Sequence, residues 1–165
     1  MKYAPVLFSA LLSALMFCSC NQGAKRAAIY RDNFLKPVQQ VIDSSLDFGD
    51  AIQSNGKQRG IVATDNYQML IARTISKLQA EGDFRGDTTL RVYSLELLQF
   101  YKKSLDTQFK PFLQSVKDEA FSETEAQQAD SLFRAFALRE NTYWERFNWA
   151  EKKFERDHKI IELEK

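Results

Sequence analysis

Apolar residues recur every three or four positions along most of this chain, with polar residues between them. That rhythm belongs to helices with one buried face, and no run alternates apolar and polar over a strand's length. The pattern predicts four helices. The first runs from about Ala24 to Ser54, turning Tyr30, Phe34, Val38, Val41, Ile42 and Ile52 inward, with Asn55-Gly56 as its stop. Pro37 removes the bond to the Asn33 carbonyl and is expected to kink it. The second covers roughly Gln58 to Glu81, with Tyr67, Leu70, Ile71, Ile75 and Leu78 in its stripe and Gly82 as terminator. After a short connection over 82–87, Asp87 or Thr88 caps a third helix that reaches about Asp118. Its stripe is Leu90, Tyr93, Leu97, Tyr101, Leu105, Phe109, Phe112 and Val116, and Pro111 should kink its last third.

The fourth helix has the clearest start, a capping box of Ser122 and Glu125, and is expected to reach about Leu163. Its seam is spaced four, three, four, three: Ala129, Phe133, Phe136, Glu140, Tyr143, Phe147, Ala150, Phe154, Asp157, Ile161. A mean period of about 3.5 implies left-handed, coiled-coil-like packing. The fold expected is therefore all-α, an up-down-up-down four-helix bundle. At about 1.5 Å per residue the fourth helix would span roughly 60 Å and the second about 35 Å, so the end of the fourth should project or pack on the start of the first. Both termini and the 82–87 loop would share one end, with loops near Asn55–Arg59 and Lys117–Ser122 at the other. Lys36-Pro37-Val38 is echoed by Lys110-Pro111-Phe112, but the echo does not extend into a repeat.

The first twenty residues follow a different logic. Lys2 supplies a positive start, Val6 to Phe17 an uncharged apolar stretch, and Ser19 a small residue before Cys20. This is the layout of a bacterial lipoprotein signal. The stretch is short for a membrane-spanning helix, which needs about 20 apolar residues, so a cleaved signal is the better reading. Cleavage is expected between Ser19 and Cys20; Cys18 is the rival position, but bulky Phe17 precedes it. Residues 1–19 are thus read as signal peptide, 20–24 as lipidated cysteine and tether, and 25–165 as the bundle. Two or three acyl chains of the palmitate type at Cys20, at about 0.8 kcal/mol per buried CH2, give lasting membrane attachment. Asn21 is not the aspartate associated with inner-membrane retention, which tilts the expectation toward the outer membrane.

Both cysteines fall in that opening, so the bundle has no disulfide and no thiolate metal ligand to hold it. Its roughly 145 residues are a usual size for one domain with one core. The 23 lysines and arginines exceed the 22 acidic residues by one, and removal of Lys2 balances them. A balanced charge argues against nucleic acid, which calls for a concentrated basic face.

The candidates for chemistry are few. Glu155-Arg156-Asp157-His158 spells the Glu-x-x-His of di-iron bundles, but such a centre uses the motif twice and this chain has one histidine. Glu140 and Asp157 are the polar breaks in the seam and the only acid-base candidates; at such positions a carboxylate more often sets register or pairs with an arginine. Phe133, Phe136, Tyr143, Trp144, Phe147, Trp149 and Phe154 suit core filling first, a partner contact second and an apolar-ligand pocket third. No phosphate loop, nucleophile elbow or zinc spacing occurs. The expectation is of no catalytic residue, no metal and no cofactor.

The run 82–91, Gly-Asp-Phe-Arg-Gly-Asp-Thr-Thr-Leu-Arg, followed by 95–102, Leu-Glu-Leu-Leu-Gln-Phe-Tyr-Lys, resembles the middle of an uncharacterised family of small helical surface lipoproteins of Gram-negative bacteria. Residues 149–154, Trp-Ala-Glu-Lys-Lys-Phe, and then His158 resemble its closing segment. The resemblance implies location and architecture, not an activity. It singles out Phe84, Gly86 and Asp87 as a structural signature that plugs and caps the corner between the second and third helices. The function expected is a membrane-anchored envelope lipoprotein, not an enzyme, that works through a protein partner. A carrier of a lipid or other apolar ligand is the second reading, and an enzyme using Glu140 or Asp157 the third.

Overall fold

A computed structural model describes the backbone over 4–160 and the side chains over 22–53 and 56–160. The described residues are all-helical, in four rods. The first is α1 (Ala4–Asn55), which begins twenty residues earlier than the periodicity suggested. Nothing breaks it: Pro5 lies in the first turn, where a missing N–H costs no bond, and the helix runs through Pro37 as well. It buries Ala27, Tyr30, Phe34, Val38, Val41, Phe48 and Ile52, whereas Ile42 is half-buried.

The chain reverses at Gly56, which has φ +85°. A β-carbon there would lie 2.1 Å from the Glu119 carbonyl oxygen, so glycine is required by both conformation and space. The same carbonyl accepts from Lys57 N at 2.9 Å, and the Glu119 carboxylate accepts from Gln58 N at 3.0 Å. A loop sixty residues away thus supplies the N-terminal cap of α2 (Lys57–Glu81).

The third rod is made of three pieces. The first piece, α3 (Thr89–Ser104), leads into a π-helical turn (Leu105–Phe109) and then α4 (Lys110–Ser115). Lys110 N donates to the Leu105 carbonyl, five residues back. The turn before Pro111 is widened, which gives the proline ring room against the carbonyl four residues before it. The rod also stops at Ser115 instead of Asp118, because Val116 turns extended at ψ 129°. The two Lys-Pro steps are therefore accommodated differently: Pro37 is buried inside a continuous helix, and Pro111 is exposed after the π turn.

The last helix, α5 (Glu123–Asp157), begins at the expected capping box, in which Ser122 Oγ accepts from Glu125 N and Ser122 N donates to Glu125 Oε2 at 2.8 Å. It ends at Asp157, not near Leu163: His158 closes it and Lys159 adopts φ +57°, redirecting the chain so that Ile160 is buried. Ala129, Phe136, Phe147, Ala150 and Phe154 of the seam are buried.

The rods alternate in direction. The middle of α1 meets the end of α2 through Tyr30 Oη, which donates to the Gly82 carbonyl at 2.8 Å, and the end of α5 through Arg31 and Glu155 at 2.5 Å. At the opposite end Phe112 meets Phe121. In cyclic order the neighbours are α1, α2, α3 and α5, with α1 and α3 also touching across the diagonal. The interior is largely aromatic. Phe48, Phe109, Phe133, Phe136, Tyr101 and Phe100 form a chain of rings with centroids 4.8 to 5.9 Å apart.

Candidate functional site

The end of the bundle where α1 passes through Tyr30 is closed by the 82–87 turn. Phe84 and Asp87 exchange backbone hydrogen bonds at 3.2 and 2.9 Å across Arg85 and Gly86, whose φ values of +54° and +84° give the turn of a tight hairpin. Phe84 packs on Tyr30, Phe154 and His158, with centroids 5.2, 5.6 and 5.0 Å away. Asp87 works in two directions: Oδ1 accepts from Thr89 N at 2.8 Å, capping α3, and Oδ2 lies 2.9 Å from His158 Nε2, holding the end of α5. Burial opposes ionisation of Asp87, but the bonds from Thr89 and His158 outweigh it and hold the carboxyl below its usual range. Burial, reinforced by the charge of Asp83, pushes the Tyr30 phenol up to about 12. The residues singled out in this turn, Phe84, Gly86 and Asp87, therefore sit at one corner with His158, which arrives from 71 positions away. Arg91 and Asp83 pair at 2.6 Å beside it.

Glu155 and His158 do not converge. Glu155 faces Arg31 of α1 and His158 faces Asp87. Among the described residues no cluster of three or more histidine, cysteine, aspartate or glutamate side chains could hold a metal ion.

The two polar breaks in the seam separate as well. Asp157 is exposed and paired with Lys153 and Arg156 on its own helix, because the helix ends there and the seam does not continue. It is not a buried acid-base candidate. Glu140 is half-buried and accepts from Tyr101 Oη at 2.5 Å, so its partner is a phenol of α3 and not the arginine expected. Burial, followed by that bond and the charge of Glu140, pushes the Tyr101 phenol up. Burial and the same charge push Tyr67 up, and its hydroxyl is buried with no hydrogen-bond partner among the described residues. The Tyr101–Glu140 pair lies at the back of an open cleft of about 280 Å³ between α1 and α5, with Ile42, Leu46, Ala137 and Trp144 as its apolar lining.

A larger groove, about 560 Å³, runs along the outer junction of α3 and α5. Leu95, Phe100 and Tyr143 form its apolar floor, and Lys103, Arg139 and Arg146 stand along it. Arg146 pairs with Glu96 at 2.9 Å and lies over the Tyr93 ring, and Arg139 lies over Phe100. Trp149, edge-on to Tyr93, is 52% exposed beside this groove, whereas Trp144 is half-buried in the α1–α5 cleft. The aromatic group read from the sequence thus divides: Phe136, Phe147 and Phe154 fill the core, and the two tryptophans face different surfaces. Nothing in the pattern of α5 alone gave the groove, which exists only where α3 lies beside it.

The side chains of Ser19 and Cys20, the expected cleavage and lipidation positions, lie outside the described residues. Among the described residues no helix is long and apolar enough to cross a membrane. No known protein family, curated protein or solved structure matches this chain.

Proposed function

We propose that this chain is a lipid-anchored lipoprotein of the cell envelope, in the outer membrane in preference to the inner. Residues 1–19 are removed as a signal, Cys20 is acylated, and a non-enzymatic, coiled-coil-like bundle stands off the surface and engages another protein. The observation that carries this reading is the opening sequence: one basic residue, a short uncharged apolar stretch, and Ser19 directly before Cys20. The geometry is compatible with an anchor, since α1 enters the bundle at the end fastened by Tyr30, Asp87 and His158, leaving the long sides of the rods available. An interior filled by ring-on-ring contacts favours a module that works by its surface.

Expression of the full chain with its own signal in a Gram-negative host, followed by intact-mass analysis, tests the anchor. A mature chain beginning with acylated Cys20 is the expected product, and Cys20→Ala should leave an unprocessed precursor. A Cys20→Ala protein that is processed normally and stays on the membrane would overturn the reading.

The carrier reading has one observation in its favour. In the α1–α5 cleft the small Ala137 lies beside Trp144, leaving about 280 Å³ of partly apolar space, just below the usual range of ligand pockets. A lipid or other apolar compound bound in stoichiometric amount after mild-detergent purification, and lost in Ala137→Phe, would favour the carrier instead.

A further inference from the structure

Two carboxylates and an indole share the α1–α5 cleft, which no lysine or arginine lines, and we infer that this cleft binds a small protonated amine. Its volume of about 280 Å³ lies close to the low end of ligand sites, room for a small molecule and not for a folded partner. The α5 wall is one helical stripe, with Ala137, Glu140 and Trp144 spaced three and four apart, and Asp43 and Leu46 line the α1 side.

Glu140 is half-buried, and its hydrogen bond comes from a neutral group, the Tyr101 phenol, at 2.5 Å. Among the described residues it has no ion pair. A carboxylate partly removed from water calls for a counter-charge. Behind it stands Tyr67, 4% exposed, its ring edge-on to Tyr101 with centroids 6.1 Å apart and its phenol within the field of the Glu140 charge. The Tyr67 hydroxyl has no hydrogen-bond partner among the described residues. The back of the cleft therefore holds a carboxylate without a cation and, beside it, a phenol without a partner.

An ammonium group supplies the missing charge. Its N–H groups donate to Glu140 and, at the rim, to the exposed Asp43, whose Oδ1 accepts from Gln39 at 2.7 Å and leaves Oδ2 for the ligand. Trp144, half-buried in the wall, adds indole surface that attracts a cation, and Leu46 and Ala137 give apolar space for a short carbon body. A quaternary ammonium suits the site less, since it has no N–H for the carboxylates, and both carboxylates would repel an acidic or phosphorylated ligand. The amine does not depend on acylation of Cys20, and it gives the cleft a charged ligand where the carrier reading gives it an apolar one.

The chain has two tryptophans, Trp144 in the cleft and Trp149 against Tyr93 of α3, so Trp149→Phe makes tryptophan fluorescence a reporter of the cleft. The full chain with that substitution, in a non-ionic detergent at neutral pH and fixed ionic strength, is titrated with n-butylamine and separately with 1-butanol, its neutral counterpart. The amine should give a saturable change, and the alcohol should bind about tenfold more weakly or not at all. Glu140→Gln, which keeps an acceptor for Tyr101, should weaken amine binding about ten- to a hundredfold. Asp43→Asn, at the exposed rim, should weaken it by less than about tenfold. Ala137→Phe fills the cleft and should abolish the response, with circular dichroism at 222 nm showing that each variant stays helical. No saturable response to butylamine, or an amine affinity unchanged in both Glu140→Gln and Asp43→Asn, would overturn the inference. Butanol binding as tightly as the amine would also overturn it and return the cleft to the carrier reading.

Discussion

Replacing Gly56 by alanine should be one of the most damaging single-atom additions to this protein, and its cost can be separated into two parts. Gly56 has φ +85° and ψ −169°, and Gly82 has φ +73° and ψ −157°. Both lie in a region open almost only to glycine, where another residue costs about 1–3 kcal/mol. The surroundings differ. A β-carbon at Gly82 would meet nothing within 4 Å, whereas at Gly56 it would lie 2.1 Å from the Glu119 carbonyl oxygen. That carbonyl would have to retreat by about 1 Å for ordinary contact, which breaks its 2.9 Å bond from Lys57 N. An orphaned N–H at a buried helix start costs about 1–3 kcal/mol more. Gly56→Ala should therefore exceed Gly82→Ala by roughly 2 kcal/mol, or about 6 °C in melting temperature for a domain of this size. Parallel urea and thermal melts followed by circular dichroism at 222 nm would measure the difference. Equal losses in the two variants would mean that Glu119 does not cap α2, and that the 116–122 connection is held some other way.

Three further outcomes follow from the polar contacts. Asp87 has a folded-state carboxyl held below its unfolded value near 3.8, so its contribution is present above that value and lost as pH falls through the folded one; Asp87→Asn should lower urea midpoints near neutral pH while flattening the decline below about pH 4. Tyr30, Tyr67 and Tyr101 have raised phenol values, Tyr30 to about 12, so their stabilising effect is complete below about pH 10 and lost as pH rises beyond it. Phenolate absorbance at 295 nm should show these three titrating together with unfolding, and an early, unfolding-independent titration of all three would contradict their burial. Tyr101→Phe removes the only hydrogen bond described for the half-buried Glu140 carboxylate and should cost about 1–3 kcal/mol in chemical denaturation; Glu140→Gln, which keeps an acceptor, should cost less.

The helices were legible in the sequence because each buried stripe is written locally. Ser122 and Glu125 fixed the start of α5 to the residue, and Asn55-Gly56 and Gly82 fixed the breaks around α2. Within α3, one stripe was too narrow a reading: Leu98, Phe100, Ser94 and Ser104 are also buried, because α3 touches α2, α5 and, diagonally, α1. What the sequence hid was made by contacts between distant positions. Glu119 caps a helix that starts 62 residues earlier, and His158 meets Asp87 across 71. The end of α5 was overread because Lys159 takes a left-handed conformation where glycine is the usual signal, so no residue type announced the stop. Glu140 was recognised as a polar break, but its partner was misjudged, since a tyrosine from another helix reaches it before any arginine does.

The distribution of these contacts bears on where function can reside. Polar contacts tie both ends, Tyr30, Asp87 and His158 at one and Gly56, Glu119 and Lys57, whose Nζ donates to the Val116 carbonyl at 2.6 Å, at the other, with Tyr101–Glu140 and Arg146–Glu96 between them. The interior between the ends is packed mainly by rings, and the fully exposed charges at mid-height add little to that packing. Exposed ion pairs contribute at most about 1 kcal/mol, so the exposed charges at mid-height can vary at little cost to the fold. Leu46 and Trp149 make the same point in reverse, since leaving large apolar side chains in water gives the bundle nothing. A protein whose ends are tied and whose middle is packed can present those side chains rigidly. For that reason substitutions of exposed charges at mid-height should leave melting nearly unchanged, whereas substitutions at Gly56 or Asp87 should lower it.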